Sequence, residues 1–133
     1  MKELIQAVRA FANADSTLST AISSDIYFER APNTETMPYI TFHLISEAPR
    51  RCFRSADDWE DYLVQFSIFS NNSSVSESLI IQSDLDLAFD RQNLTYTTKT
   101  SIACHREGTT GPTWLSEDGV YMTTSTYRIQ STL

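Results

Sequence analysis

The chain has 133 residues, 41% of them apolar, and a net charge of −7 at pH 7. This length suits one globular domain with one core, so we expect a single domain over residues 1–133. Ten basic residues against seventeen acidic ones argue against a protein that grips nucleic-acid phosphates along a broad face. The sequence shows no apolar run as long as a membrane span and no signal peptide, so we expect a soluble protein made in a cytoplasm.

Three helices are predicted. Apolar residues at helical spacing indicate the first two, at residues 2–13 and 16–22, and Asp15 or Ser16 can cap the second. The third begins at a Ser-x-x-Glu capping box, Ser74 to Glu77, and runs to about residue 89.

The third helix has a predicted core face and two apolar residues outside it. The predicted core face contains Val75, Leu79, Ile81, Leu85, Ala88 and Phe89. Ile80 and Leu87 fall outside that arc, and they are candidates for a small contact with another subunit.

Alternation with period two predicts five strands, at residues 25–29, 38–46, 61–70, 94–105 and 120–131. The second and third of these should form the central hairpin. We expect the following residues to be buried between sheet and helices: Ile40, Phe42, Val64, Phe66, Ile68, Leu79 and Leu85.

Two long hairpin loops are expected, at residues 47–60 and 106–119. The first is basic and then acidic, with aromatic residues embedded; its candidate interface residues are Arg50, Arg51, Phe53, Arg54, Asp57, Asp58 and Trp59. The second is rich in glycine and carries the isolated Trp114, a further candidate. These aromatic residues either fold back onto the domain or anchor neighbouring copies or partner proteins.

The order of these elements predicts an α+β fold. We expect an antiparallel sheet of four to five strands, helices packed on one face, and the two long hairpin loops.

The sequence shows no pattern that indicates an active site. Cys52 and Cys104 have no ligand-type spacing, and Cys104 and His105 would point to opposite faces of a strand. We therefore expect no enzyme activity, no cofactor and no metal.

The chain resembles the tail completion, or tail terminator, proteins of long-tailed bacteriophages and phage-like particles. The resemblance rests on the amino-terminal amphipathic helix, the capped third helix and several short motifs. These motifs are Ile26-Tyr27-Phe28 with Ala31-Pro32, Pro38-Tyr39-Ile40-Thr41-Phe42, Val64-Gln65-Phe66-Ser67-Ile68-Phe69, Gly119-Val120-Tyr121 and Tyr127-Arg128-Ile129.

The resemblance implies a structural virion protein that forms a ring, typically of six subunits, on the last ring of the tail tube. Such a ring stops tube growth and joins the tail to the capsid neck. The implied partners are further copies of the chain, the tail tube protein and the head–tail connector or neck protein. DNA would pass through the lumen without specific binding, and no membrane is involved. The implied location is the tail/neck junction of the virion, after assembly in the host cytoplasm.

Two alternatives stay open. One is a head–tail connector or another minor virion protein. The other is a small ligand-binding or enzymatic α+β domain that uses the sheet face lined by Tyr39, Thr41 and His43. For a ring, we further expect part of the acidic excess to line the DNA channel, with the polar run Thr95, Thr97, Lys99 and Ser101 as one candidate lining.

Overall fold

The computed structural model describes residues 2–22, 26–30, 37–51, 58–71 and 74–132. Within them lie three helices and five strands. In chain order these are α1 (Lys2–Ala14), α2 (Ser16–Ile22), β1 (Tyr27–Phe28), β2 (Tyr39–Arg50), β3 (Trp59–Ser70), α3 (Ser76–Phe89), β4 (Ser101–Leu115) and β5 (Val120–Thr132). The fold is α+β, as the sequence predicts.

The five strands form one sheet in the order β1-β2-β3-β5-β4. β2, β3, β5 and β4 pair antiparallel, whereas the two-residue β1 pairs parallel to β2. The sheet is therefore mixed, with β1 as a short parallel edge. The parallel direction of this pair leaves no local sequence pattern, because the partner strand lies beyond a separate connection.

The core lies between one face of the sheet and the helices. Val64, Phe66 and Ile68 alternate along β3 and are buried, as predicted, and Tyr62 is buried on the same face. The Phe66 ring lies 5.1 Å from Phe89 of α3 and 5.5 Å from Tyr127 of β5, measured between centroids. An aromatic cluster thus joins the middle strands to the third helix.

The first two helices follow the sequence prediction closely. α1 buries its apolar stripe, Leu4, Ala7, Val8 and Ala12. Asp15 caps α2, because its Oδ1 atom accepts a hydrogen bond of 2.9 Å from the Leu18 N–H. Neither these helices nor any other helix in the described part of the chain is long and apolar enough to cross a membrane.

The start of α3 differs from the predicted capping box. The helix begins at Ser76 with Val75 in the N-cap position and no side-chain cap hydrogen bond, and the Glu77 carboxylate accepts a hydrogen bond from Ser70 Oγ instead. The carboxylate therefore ties α3 to the end of β3.

The prediction that Leu79 lies in the core is wrong, because this side chain is 46% exposed. Val75 is exposed as well. The buried face of α3 contains Ser78, Ile81, Leu85, Ala88 and Phe89. Its first residue is the small Ser78, and Leu79 is rotated about 100° away from it. The spacing of apolar residues in the sequence does not indicate that a serine at this position is buried.

Both predicted hairpin loops are shorter than expected because the strands continue into them. β2 extends to Arg50 and β3 starts at Trp59, which leaves a connector over residues 51–58. In the second hairpin, β4 runs to Leu115 and β5 starts at Val120, so the expected loop over 106–119 is mostly strand. Glycine and proline there mark irregularities within β4 rather than its end.

Residues 94–100 do not form the predicted strand, which begins at Ser101. Their backbone is held by α1, because the Glu3 carboxylate accepts hydrogen bonds from the N–H groups of Thr98 and Lys99. The Glu3 carboxylate thus accepts backbone hydrogen bonds that the carbonyl groups of a neighbouring strand would accept in a sheet. The predicted polar strand face from Thr95 to Ser101 is therefore absent, and the role of these residues in lining a channel stays a prediction.

Candidate assembly surfaces at the two ends of the sheet

The tips of the two long hairpins lie at opposite ends of the sheet. At one end of β3, Trp59 pairs with Arg50 and Thr132; at the other end, Ser70 pairs with Tyr121. We call the first the connector end (Arg50, Arg51, Asp58 and Trp59). The second is the turn end (Trp114 and Tyr121 with the turn at residues 116–119). About 37 Å of strand separates them, at roughly 3.4 Å per residue.

At the connector end, basic and acidic residues already pair within the chain. Arg50 Nε lies 3.3 Å from Asp61 Oδ2, and Arg51 Nη1 lies 3.3 Å from Asp58 Oδ2. Both carboxylates are buried, whereas the arginine side chains are 54% and 67% exposed. The connector end therefore presents cationic groups outward, over carboxylates that lie beneath them.

The other candidate residues of the connector are placed as follows. Trp59 is half-buried and belongs to β3 rather than to a loop. Phe53, Arg54 and Asp57 lie outside the described residues, as does Cys52. Their predicted role at an interface stays a prediction.

Sequence reasoning missed Arg128 as part of this charged surface. Its Nη1 atom lies 2.7 Å from Asp61 Oδ2, and its Nε atom donates a hydrogen bond of 2.7 Å to Glu107. That hydrogen bond lowers the pKa of Glu107, and the positive charge of Arg128 acts in the same direction. The signal in the sequence is slight: Arg128 is the polar residue between the apolar Tyr127 and Ile129 of β5.

At the turn end, Trp114 and Tyr121 face each other across β4 and β5. Their ring centroids are 4.7 Å apart and the ring planes are tilted by 59°. The indole remains 49% exposed, so it is held on one side and open on another. A recess of about 290 Å³ lies beside it, lined by Trp114, Leu115, Ser116, Glu117 and Asp118.

A bulge in β4 places the indole against Tyr121. Thr110 pairs with Thr124, but Thr113 pairs with Met122, so one extra residue is inserted at Gly111-Pro112. Regular pairing would set Trp114 opposite Val120 and therefore on the other face of the sheet. The insertion turns it to the Tyr121 face.

Glycine is required at the bulge. Gly111 has a φ of 101°, and a Cβ atom there would lie 2.8 Å from the Met122 carbonyl oxygen. Both the dihedral angle and the clearance exclude a side chain. The orientation of Trp114 thus depends on a glycine three residues before it.

A third surface lies on the outward face of α3. Ile80 is 59% and Leu87 77% exposed, as their position outside the predicted core arc indicates. They are seven residues apart and so lie on the same side of the helix. Their predicted contact with another subunit stays a prediction.

The described residues give little support for a reactive centre. Burial raises the pKa of the Cys104 thiol to about 12, which favours an unreactive thiol. Among the described residues, no group of three or more His, Cys, Asp and Glu side chains is placed to hold a metal ion. On the sheet face considered for ligand binding, Tyr39 packs on Phe69 at 5.2 Å and Thr41 is 8% exposed.

The fold can be compared with known proteins. No family model matches the sequence, and no curated protein matches it. A chain in a solved structure of the virion of a native gene transfer agent (GTA) particle superposes with a TM-score of 0.80. The match covers 98% of this chain and 95% of that chain, at 12% sequence identity. The two chains share a fold.

A second solved chain matches over 93% of this chain and 94% of its own length. Its TM-score of 0.47 and its 13% identity are too low to support an argument.

Proposed function

We propose that this chain is a structural protein of a phage-like virion. The observation that carries the proposal is the fold shared with a chain of a gene transfer agent virion over nearly the whole length of both. The match covers 98% of this chain and 95% of the virion chain, which supports one structural role for the chain as a whole. In this proposal the chain acts by assembly and not as an enzyme.

Within that role, the chain is the tail terminator. A ring of copies, six in the typical case, caps the tail tube, stops its polymerisation and provides the joint to the capsid neck. Its partners are other copies, the tail tube protein and the head–tail connector or neck protein. It is assembled in the host cytoplasm and resides at the tail/neck junction. The sequence resemblance to tail terminators supports this finer role.

The distribution of exposed groups is consistent with a subunit that has several neighbours. Arginines extend from the connector end, a half-exposed tryptophan marks the turn end, and α3 carries the exposed Ile80 and Leu87. Tryptophan and arginine are the residues most enriched at the energetic centres of interfaces. We propose that the candidate residues of both hairpins act as subunit or partner contacts.

The channel of such a ring is proposed to be acidic or neutral, because a basic wall would hold phosphates through many additive contacts. This proposal is based on the net charge of −7 of the chain. A structure of the ring tests this proposal, because it gives the distance of each charged side chain from the ring axis. Innermost side chains that are mainly arginine and lysine would show that the acidity serves another purpose.

The tail terminator role is tested by removing the chain from cells that produce the particle. We expect tails of uncontrolled length without attached heads, visible by electron microscopy, and recovery of normal particles when the chain is supplied again. Tails of normal length that fail to join heads would identify a head–tail connector instead. Normal, complete particles without the chain would refute a structural role.

A further inference from the structure

The turn end combines an open aromatic surface with an excess of negative charge. Trp114 is 49% exposed and is held by Tyr121, and the adjoining turn contains Glu117 and Asp118, both exposed. From residue 107 to residue 127 the sequence contains no lysine and no arginine. No lysine or arginine within this stretch can therefore neutralise the two turn carboxylates.

This combination suits a guanidinium group. Arginine stacks on the face of an indole, and the same group forms charge-assisted hydrogen bonds with carboxylates. The recess of about 290 Å³ beside Trp114 brings the indole and both carboxylates into one lining. An arginine entering it would contact the ring and a carboxylate together.

The bulge in β4 supports the view that this recess is a built feature. Without the extra residue at Gly111-Pro112, Trp114 would lie on the opposite face and away from Tyr121. Bulges commonly re-aim a side chain for a specific purpose. Here the re-aimed side chain is left half-exposed rather than buried.

The chain itself carries arginines suited to this recess, at its other end. Arg50 and Arg51 are 54% and 67% exposed. If Arg50 turns outward, Asp61 keeps its shorter contact with Arg128, at 2.7 Å against 3.3 Å. Arg50 can therefore reorient without leaving a buried carboxylate alone.

We propose that the turn end of one copy binds the connector end of a neighbouring copy, with Arg50 or Arg51 against Trp114 and the turn carboxylates. This inference rests on the proposed function in that it assigns the contact between copies in the ring. The two ends are about 37 Å apart along β3, so they meet between copies and not within one.

The charges favour this head-to-tail contact over a symmetric one. Two turn ends facing each other would bring four carboxylates together, and like charges across an interface are unfavourable. When the turn end of one copy meets the connector end of another, carboxylates face arginines instead. A contact between two different surfaces of the same chain repeats from copy to copy, and it closes into a ring when the rotation between copies permits.

The test uses two variants of the full chain, each with one altered end. The turn variant is Trp114→Ala/Glu117→Lys and the connector variant is Arg50→Ala/Arg51→Ala. Circular dichroism and thermal unfolding check that both are folded, and Glu29→Lys, at an exposed residue directly after β1 on the opposite edge of the sheet from β4, serves as a control with the same change of charge as Glu117→Lys. Mass photometry and light scattering measure assembly across protein concentrations.

We expect the wild-type chain and the control to assemble, and each end variant alone to associate about thirtyfold more weakly or worse, the range of an interface hot spot. An equal mixture of the two variants should form dimers and no larger species, because one intact turn end then meets one intact connector end.

Three results would overturn the contact: a folded end variant that assembles like the wild type, a mixture that stays monomeric, or a wild-type chain that stays monomeric up to millimolar concentration. Each can occur while the chain still caps tails in the particle-producing cells. Failure of this contact is therefore distinguishable from failure of the proposed function.

Discussion

At the scale of single residues, Phe66 is the side chain with the most central position in the core. It is fully buried, and its ring lies among those of Phe42, Phe89 and Tyr127. We expect Phe66→Ala to lower the free energy of unfolding by about 3–5 kcal/mol, since both apolar burial and close packing are lost. Urea denaturation measures this loss. Gln65→Ala, on the opposite face, is the control and should cost less than about 1 kcal/mol; equal losses would contradict the assigned core face.

Asp61 is a buried carboxylate whose two arginine partners are not equivalent. Arg128 approaches it to 2.7 Å and Arg50 to 3.3 Å, and Arg50 is the more exposed of the two. We expect Arg128→Ala to destabilise the chain by about 1–3 kcal/mol, because the buried charge loses its better partner.

Arg50→Ala should cost less than about 1 kcal/mol, since the more exposed arginine forms the weaker pair. Thermal unfolding of the two variants in the same buffer compares them. A larger loss for Arg50→Ala than for Arg128→Ala would show that the order of the partners is reversed.

At the scale of elements, the bulge in β4 offers a matched pair of glycines. Gly111 has a positive φ and no room for a Cβ atom, whereas Gly108 has no heavy atom within 4 Å of the position a Cβ would take. Gly111→Ala should cost about 1–3 kcal/mol through backbone strain, and Gly108→Ala should be close to neutral. Tryptophan fluorescence should also change in Gly111→Ala, because Trp114 moves relative to Tyr121. Equal stability of the two variants would contradict the presence of a bulge that requires glycine at position 111.

α3 offers a second matched pair, in two leucines two residues apart. Leu85 is fully buried and Leu87 is 77% exposed. Leu85→Ala should lower the free energy of unfolding by about 2–5 kcal/mol, whereas Leu87→Ala should change it by less than about 0.5 kcal/mol. If Leu87 contacts another subunit, its replacement weakens assembly without weakening the monomer. A large stability loss in Leu87→Ala would mean that α3 is rotated from the orientation described above.

At the scale of the whole molecule, the connector can be separated from the fold. β2 and β3 pair up to Arg50 and Trp59, so we expect the sheet to form without residues 51–58. Replacing these residues with an Asn-Gly turn should preserve the far-ultraviolet circular dichroism spectrum, because this dipeptide suits a tight hairpin. The shortened chain should no longer assemble into rings or cap tails. Unchanged assembly would exclude residues 51–58 from the mechanism.

The sequence alone determined the elements whose signals are local. Apolar residues at helical spacing define α1 and α2, and strict alternation in β3 identifies Val64, Phe66 and Ile68 as core. These signals suffice because the period of a helix or strand fixes which side chains share a face. The same reasoning correctly placed Ile80 and Leu87 outside the core.

At the candidate surfaces, the sequence indicated residue types but not their partners. It singled out Arg50, Arg51 and Trp114, because charged and aromatic residues stand out in turn-rich stretches. It could not pair Arg51 with Asp58 inside the chain, nor bring Arg128 to Asp61, 67 residues away. Such contacts depend on strand register, which no local period encodes.

The tertiary structure alone decided the features that depend on register and close approach. The bulge at Gly111-Pro112 shifts β4 by one residue against β5 and brings Trp114 to Tyr121. Ser78, a small polar residue, lies on the buried face of α3, and Leu79 lies outside that face and is exposed. In each case the deciding quantity is the position of one element relative to another. Long-range packing sets that position, and a one-residue change in register reverses the face of every side chain that follows.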